Sequence, residues 1–150
     1  MRIALGADHA GYELKNTIRQ YLASKGAVVT DEGTNSGDSV DYPDFALKVA
    51  QDVIAGKVDT GILVCGTGIG MAMAANKVHG IRAAAADTEF EAQMAREHNN
   101  ANILTMGARV IDAAMAEKIV DVWLTAQFAG GRHQRRVDKI MEIEKSESKS

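Results

Sequence analysis

The chain has 150 residues, enough for one domain with its own core. With 46% hydrophobic and 25% charged residues, it has the composition of a globular protein and not of a disordered one. A formal charge of −3 excludes a nucleic-acid partner held by bulk electrostatics, so any anionic ligand needs a local basic cluster.

In chain order, "RIALGA" (Arg2 to Ala7) reads as a buried strand. An amphipathic run with Leu14, Ile18, Tyr21 and Leu22 at helical spacing follows, and Gly26 stops it. "AVVTDEG" (27–33) predicts a second strand. "DYPDFALKVAQDVIAGK" (41–57) predicts a helix with the only proline, Pro43, near its start, where a missing N–H costs little. "TGILVCG" (60–66) is the third strand and "GMAMAANKVHG" (70–80) the third helix. "IRAAAAD" (81–87) is a weak fourth strand because alanine is a poor strand former. "TEFEAQMAREHN" (88–99) is a helix that Thr88 can cap, "NILTMGARV" (102–110) the fifth strand, and "DAAMAEKIVDVWLTAQF" (112–128) the fifth helix.

Five βα units without a hairpin signal predict an α/β fold, a parallel sheet with helices on both faces. After the break at Gly130-Gly131, Arg132 to Glu144 predict an extra C-terminal helix. Residues 1–144 are expected to form a single domain, and 145–150 a disordered tail. The N-terminus has no long apolar leader, and the uncharged stretch Thr60 to Asn76 is short and broken by glycines. A cytoplasmic protein with no membrane partner is therefore expected. The single cysteine excludes an internal disulfide.

In open parallel sheets, ligands bind beyond the carboxyl ends of strands where the strand order reverses, commonly between the first and third strands. That rule would bring Asp8 and His9 together with Cys65 and the loop Gly66-Thr67-Gly68-Ile69-Gly70. The loop can turn successive N–H groups toward an anion at a helix start, or it can simply be a tight turn that needs small residues. It is neither the dinucleotide fingerprint, since Met71 replaces the last glycine, nor a Walker loop. Cys65 is either a small apolar filler or a nucleophile, and a helix N-terminus favours the thiolate of the latter. A tyrosine-phosphatase reading fails because Met71 stands where the arginine belongs.

His98 follows Phe90 and Met94 at i, i+4, i+8, the pattern of an ordinary helix C-terminal histidine. It ends the fourth helix far from the carboxyl side of the sheet, so it would serve the crevice only in a neighbouring subunit. Arg132 and Arg136 share one helix face beside His133 and Arg135. They are either a solvated surface or, in an acidic protein, the anchor for a phosphate. The four histidines make no i, i+4 pair and there is no C-x-x-C, so no metal is expected.

"GADHAG", "VDYPDFA", "GILVCGTGIGM", "ANK…GIRAA", "REHNNANIL" and "GGRHQRRV", in this order, resemble the type B ribose-5-phosphate isomerases of the ribose/galactose-phosphate isomerase family. The resemblance runs from Arg2 to about Ile143. It implies a three-layer αβα sandwich, a Rossmann-like sheet ordered 2-1-3-5-4. It also implies cofactor-free and metal-free aldose–ketose isomerisation of a phosphorylated sugar through an enediolate.

By position, the resemblance makes Cys65 the base that moves the proton between C2 and C1, with the amides of Gly66, Gly68, Ile69 and Gly70 as an oxyanion hole. Asp8 would handle the hydroxyl proton, and His98 with Thr67 would open the sugar ring. Asn99 and Tyr42 would bind the sugar, and His9, Arg109, Arg132 and Arg136 the phosphate. The implied assembly is a homodimer, or paired dimers, with the site between subunits. No acidic residue occurs between Asp59 and Asp87, which fits the cysteine branch of the family. Ribose 5-phosphate is the expected substrate, with allose, galactose or tetrose phosphates as alternatives. The rival from another class is a flavodoxin-like anion-binding module, which would have no use for Cys65 beside Asp8.

Overall fold

A computed structural model describes residues 1–148 and resolves the chain into eleven elements. These are β1 (Arg2–Ala7), α1 (Tyr12–Ser24), β2 (Val28–Asp31), α2 (Tyr42–Ile54), β3 (Thr60–Cys65) and α3 (Ile69–Ala75). They continue with β4 (Ala83–Ala85), α4 (Glu89–Glu97), β5 (Ile103–Gly107), α5 (Ala113–Thr125) and α6 (Arg132–Glu147). The strands form one parallel sheet in the order β2-β1-β3-β5-β4, as the family resemblance implied.

The hydrophobic patterning follows this order. β3 sits in the centre with all six residues buried, and β1 and β5 flank it with near-continuous apolar runs, as strands covered on both faces must. The edge strands β2 and β4 are short and mostly uncovered, which is why their sequence signals are weak. One face of the sheet, through Leu5, Ile62 and Leu104, packs on Ile18 and Leu22 of α1, Ala92 of α4 and Ile119 and Trp123 of α5. The other, through Ala4, Leu63 and Ile103, packs on Val49 of α2 and Met71 and Ala75 of α3. The result is a three-layer sandwich.

One charge lies deep in this frame. Lys15 is 1% exposed, and its Nζ is held by Asp31 Oδ1 at 2.7 Å, Asp31 Oδ2 at 2.9 Å and the Thr34 carbonyl at 2.8 Å. A buried ammonium with three acceptors is tolerable where an unpaired one is not, and here it pins the loop after β2 against α1.

Most element ends fall a few residues inside the expected ranges, and three of the differences have a visible partner or turn behind them. Helix α3 ends at Ala75 instead of reaching Gly80, because the Asn76 carboxamide turns to pair with β4. It accepts from Ala83 N at 2.7 Å and donates to Ala83 O at 3.0 Å, imitating a neighbouring strand. Helix α6 continues past Glu144 to Glu147, since the Glu144 carboxylate accepts the Gly80 N–H at 3.0 Å and fastens the last turns to the domain. The part of the expected disordered tail from 145 to 147 is therefore helical, while positions 149 and 150 lie outside the described residues. The strand from 102–110 closes at Gly107, where the chain turns onto the glycine loop. The Thr88 cap forms as expected, its Oγ1 accepting from Glu91 N at 3.1 Å.

Candidate active site

The strand order reverses between β1 and β3, and their carboxyl ends lie side by side: Ala7 is in register with Val64, and Asp8 N donates to Val64 O at 3.3 Å. Asp8 thus stands next to the end of β3. It is buried, and its Oδ1 accepts from Gly11 N at 3.0 Å, which fixes the carboxylate. Gly11 is small of necessity, because a Cβ there would collide with the Val64 carbonyl.

Cys65 is 5% exposed, and its Sγ accepts the N–H of Gly68 at 3.2 Å. The chain can fold back onto the sulfur because Gly68 adopts φ +81°, a conformation costly for residues with a Cβ. Thr105 Oγ1 clamps the same turn from β5, donating to Gly68 O at 2.7 Å. Thr67 Oγ1 accepts from Ile69 N at 3.2 Å. Two further glycines lie under side chains that a Cβ would push aside. A Cβ on Gly70 would sit 2.6 Å from Tyr42 Cε1, and one on Gly66 3.1 Å from Arg109 Nη1. The Tyr42 ring and the Arg109 guanidinium therefore lie directly on the loop. Arg109 is brought there by the bond from its own N–H to Gly66 O at 3.0 Å.

His9 follows Asp8, and its Nδ1 accepts from Val40 N at 3.2 Å, which leaves Nε2 as the donor. Asp8, His9, Tyr42, Cys65, Thr67, the glycine-loop amides and Arg109 thus form one group at the carboxyl edge of the sheet. Its chemistry is a fixed thiol and a fixed carboxylate beside a set of N–H donors, with the Arg109 guanidinium on the loop.

The remaining expected residues form a second group elsewhere. His98 caps the end of α4, and its ring stacks on His133 of α6, centroids 4.1 Å apart and planes 10° from parallel. Burial, then the charge of His98, then Arg132 and Arg136 hold the His133 imidazole below its ordinary pKa. Arg132 and Arg136 are exposed. Helix α4 returns the chain to the amino end of β5, so His98 and Asn99 lie at the opposite edge of the sheet from Gly107. The five residues of β5 span about 16 Å at about 3.3 Å each, more than a small sugar phosphate covers. The His98–His133 pairing links positions far apart in the chain and has no local signal. Thr105 likewise reads as an ordinary strand residue.

Among the described residues, no three His, Cys, Asp or Glu side chains are grouped so as to hold a metal ion, and no helix is long and apolar enough to cross a membrane.

A fixed thiol and carboxylate at the switch point of a doubly wound sheet are the equipment of a small-molecule α/β enzyme, for which a bare anion-binding module has no use. Comparison narrows this. The family model described as "Ribose/Galactose Isomerase" matches residues 3–140. The solved ribose-5-phosphate isomerase B of Clostridium thermocellum superposes with a TM-score of 0.98 at 55% identity, covering 99% of this chain and 100% of that one. The Mycoplasma genitalium ribose-5-phosphate isomerase B, solved with bound ribulose-5-phosphate, gives 0.92 at 48% identity and 96% of each chain. The D-erythrulose-4-phosphate isomerase of Pectobacterium atrosepticum is 48% identical over 93% of both chains. The chain belongs to the ribose/galactose isomerase family and is an isomerase.

Proposed function

We propose that the enzyme interconverts ribose 5-phosphate and ribulose 5-phosphate through a cis-enediolate, with Cys65 as the proton-transfer base. His98 and Thr67 first open the furanose: the C1–O4 bond breaks, O4 gains a proton and O1 loses one. The Cys65 thiolate removes the proton from C2, the C1=O electrons move onto O1, and the amides of Gly66, Gly68, Ile69 and Gly70 receive the oxyanion. Asp8 carries the hydroxyl proton from O2 to O1, and Cys65 returns its proton to C1, giving the ketose. Tyr42 and Asn99 hold the sugar, and His9, Arg109, Arg132 and Arg136 the phosphate.

The observation that carries this reading is the Cys65 sulfur held 3.2 Å from the Gly68 N–H in a loop beside the buried Asp8 carboxylate. The placement of His98, Asn99, Arg132 and Arg136 at the opposite edge of the sheet supports a homodimer in which they serve the partner's crevice. Ile69 and Met73 on α3, Phe90 on α4 and Ile140 and Ile143 on α6 are exposed apolar side chains that such an association could cover. The tetrose-phosphate relative favours the second reading, the same chemistry on another sugar phosphate.

Proton NMR of the protein with ribose 5-phosphate in D2O, chelator present, tests both. Ribulose 5-phosphate carrying deuterium at C1 is expected, and Cys65→Ala should remove nearly all turnover while leaving binding in place. A folded protein inert toward ribose 5-phosphate but active on erythrose 4-phosphate would establish the second reading. Unchanged turnover in Cys65→Ala would refute the assigned base.

A further inference from the structure

Arg82 and Arg96 are two partly buried guanidinium groups without an ion-paired carboxylate among the described residues. Burial is the first cause that lowers the pKa of each. The nearby Glu144 opposes this at Arg82, and the charge of Arg82 adds to it at Arg96. Buried cations need compensation, and here backbone carbonyls provide it.

Arg82 Nε donates to the carbonyls of Asn99 and Asn100, both at 3.2 Å, and Nη2 to Asn100 O at 2.8 Å. Its Nη1 reaches Met141 Sδ of α6 at 3.4 Å. Each of the three nitrogens thus makes a contact inside the chain. Arg96 Nη1 donates to Asn100 Oδ1 at 3.3 Å and to Ala101 O, with its guanidinium carbon 5.5 Å from the Trp123 ring centroid. Between them sits Asn100, the one non-glycine residue among those described with a positive φ, at +46°. Such a conformation persists only where its surroundings over-determine it. Asn102 completes the cage, accepting from Arg82 N at 2.8 Å and donating to Gly80 O at 2.9 Å.

We propose that Arg82 is a positioning residue: its fork over Asn99 and Asn100, together with its contact to α6, fixes where the His98 imidazole and its stacking partner His133 are presented. The inference rests on the reading in which His98 opens the sugar ring. The planar fork is the essential feature, since three separate nitrogens hold the two carbonyls and the thioether, whereas an ammonium offers all its donors from a single atom. A displacement of His98 of the order of 1 Å costs about 100-fold in a step that needs its alignment.

The test compares Arg82→Lys, His98→Ala and the unaltered enzyme on ribose 5-phosphate and on 4-deoxyribose 5-phosphate. The latter lacks O4, cannot close a furanose, and so needs no ring opening. Arg82→Lys should lower kcat/KM for ribose 5-phosphate by about 10- to 100-fold and for the acyclic analogue by less than about threefold, with His98→Ala showing the same selectivity. In parallel, the His98 ring-proton resonances, displaced by the stacked His133, should move toward unstacked positions in Arg82→Lys.

If His98→Ala is selective while Arg82→Lys lowers both substrates alike, or neither, Arg82 does not position His98 and the proposal fails. If His98→Ala is not selective, the ring-opening role of His98 is what fails. The imidazole resonances then decide the placement alone, and unmoved signals overturn it. Should Arg82→Lys not fold, Asn100→Ala strains the same turn without removing either guanidinium. It should show the same selective loss in weaker form, and equal losses on both substrates would overturn the proposal.

Discussion

Mixing two crippled chains tests the division of the site between subunits most directly. Cys65→Ala removes the base from the carboxyl-edge group, and His98→Ala removes the imidazole from the group at the other edge, about 16 Å away along β5. If each crevice is completed by the partner's His98, a mixed dimer holds one crevice with both residues present and one with neither. Random pairing of equal amounts makes about half the dimers mixed, so roughly a quarter of all crevices are complete. A mixture refolded together should thus recover about a quarter of wild-type activity on ribose 5-phosphate, above the parents' background. Heterodimers isolated with two different affinity tags should recover about half. Single-chain sites would leave each mixed dimer with one crevice lacking Cys65 and one lacking His98. No recovery in isolated heterodimers would therefore refute the shared site.

The glycines of the crevice give two graded predictions. Gly11→Ala drives a Cβ into the Val64 carbonyl, a backbone atom that cannot step aside, and should cost about 3 kcal/mol or more in denaturant titration; a loss under 1 kcal/mol would refute a tight seat of the α1 N-terminus on β3. Gly70→Ala meets only the end of the Tyr42 side chain, at 2.6 Å, so the ring can swing away. That variant should lose about 1 kcal/mol of stability but show a KM several-fold higher, and an unchanged KM would remove Tyr42 from the sugar site. A third prediction concerns pH. Asp52 as hydrogen-bond acceptor, then burial, then the Asp52 charge raise the Glu32 carboxyl from 4.5 to about 6, and Asp52 Oδ2 is a buried oxygen with no hydrogen-bond partner. Because the folded state favours the protonated form, this pair stabilises the protein fully below about pH 4.5 and loses that contribution as pH rises through 6. Glu32→Gln keeps the bond without the charge, so thermal melts should favour it at pH 7.5 by less than about 1 kcal/mol, given the exposure of Glu32, and should converge with wild type near pH 4.5.

The sequence by itself determined the alternation of strands and helices. Buried strands must be near-continuous apolar runs and their covering helices amphipathic, and the two periods are read from neighbouring residues. The Thr88 cap and the glycine loop after Cys65 were legible for the same reason, since a cap and a tight turn are made by residues a few positions apart. Motif order carried the family and, with it, the strand order 2-1-3-5-4.

Tertiary structure alone decided what depends on side chains meeting across the fold. Asn76 ends α3 because strand β4 arrives beside it, and α6 runs on past Glu144 because a free N–H at Gly80 awaits that carboxylate. Neither partner can be found by spacing. The same holds for His98 against His133 and for Arg82 over Asn99 and Asn100, which lie 17 and 18 positions away. In the sequence, Arg82 opens a run of alanines. Only when β4 docks beside β5 does its guanidinium, half withdrawn from water and without an ion-paired carboxylate among the described residues, find the carbonyls of a left-handed turn to satisfy it.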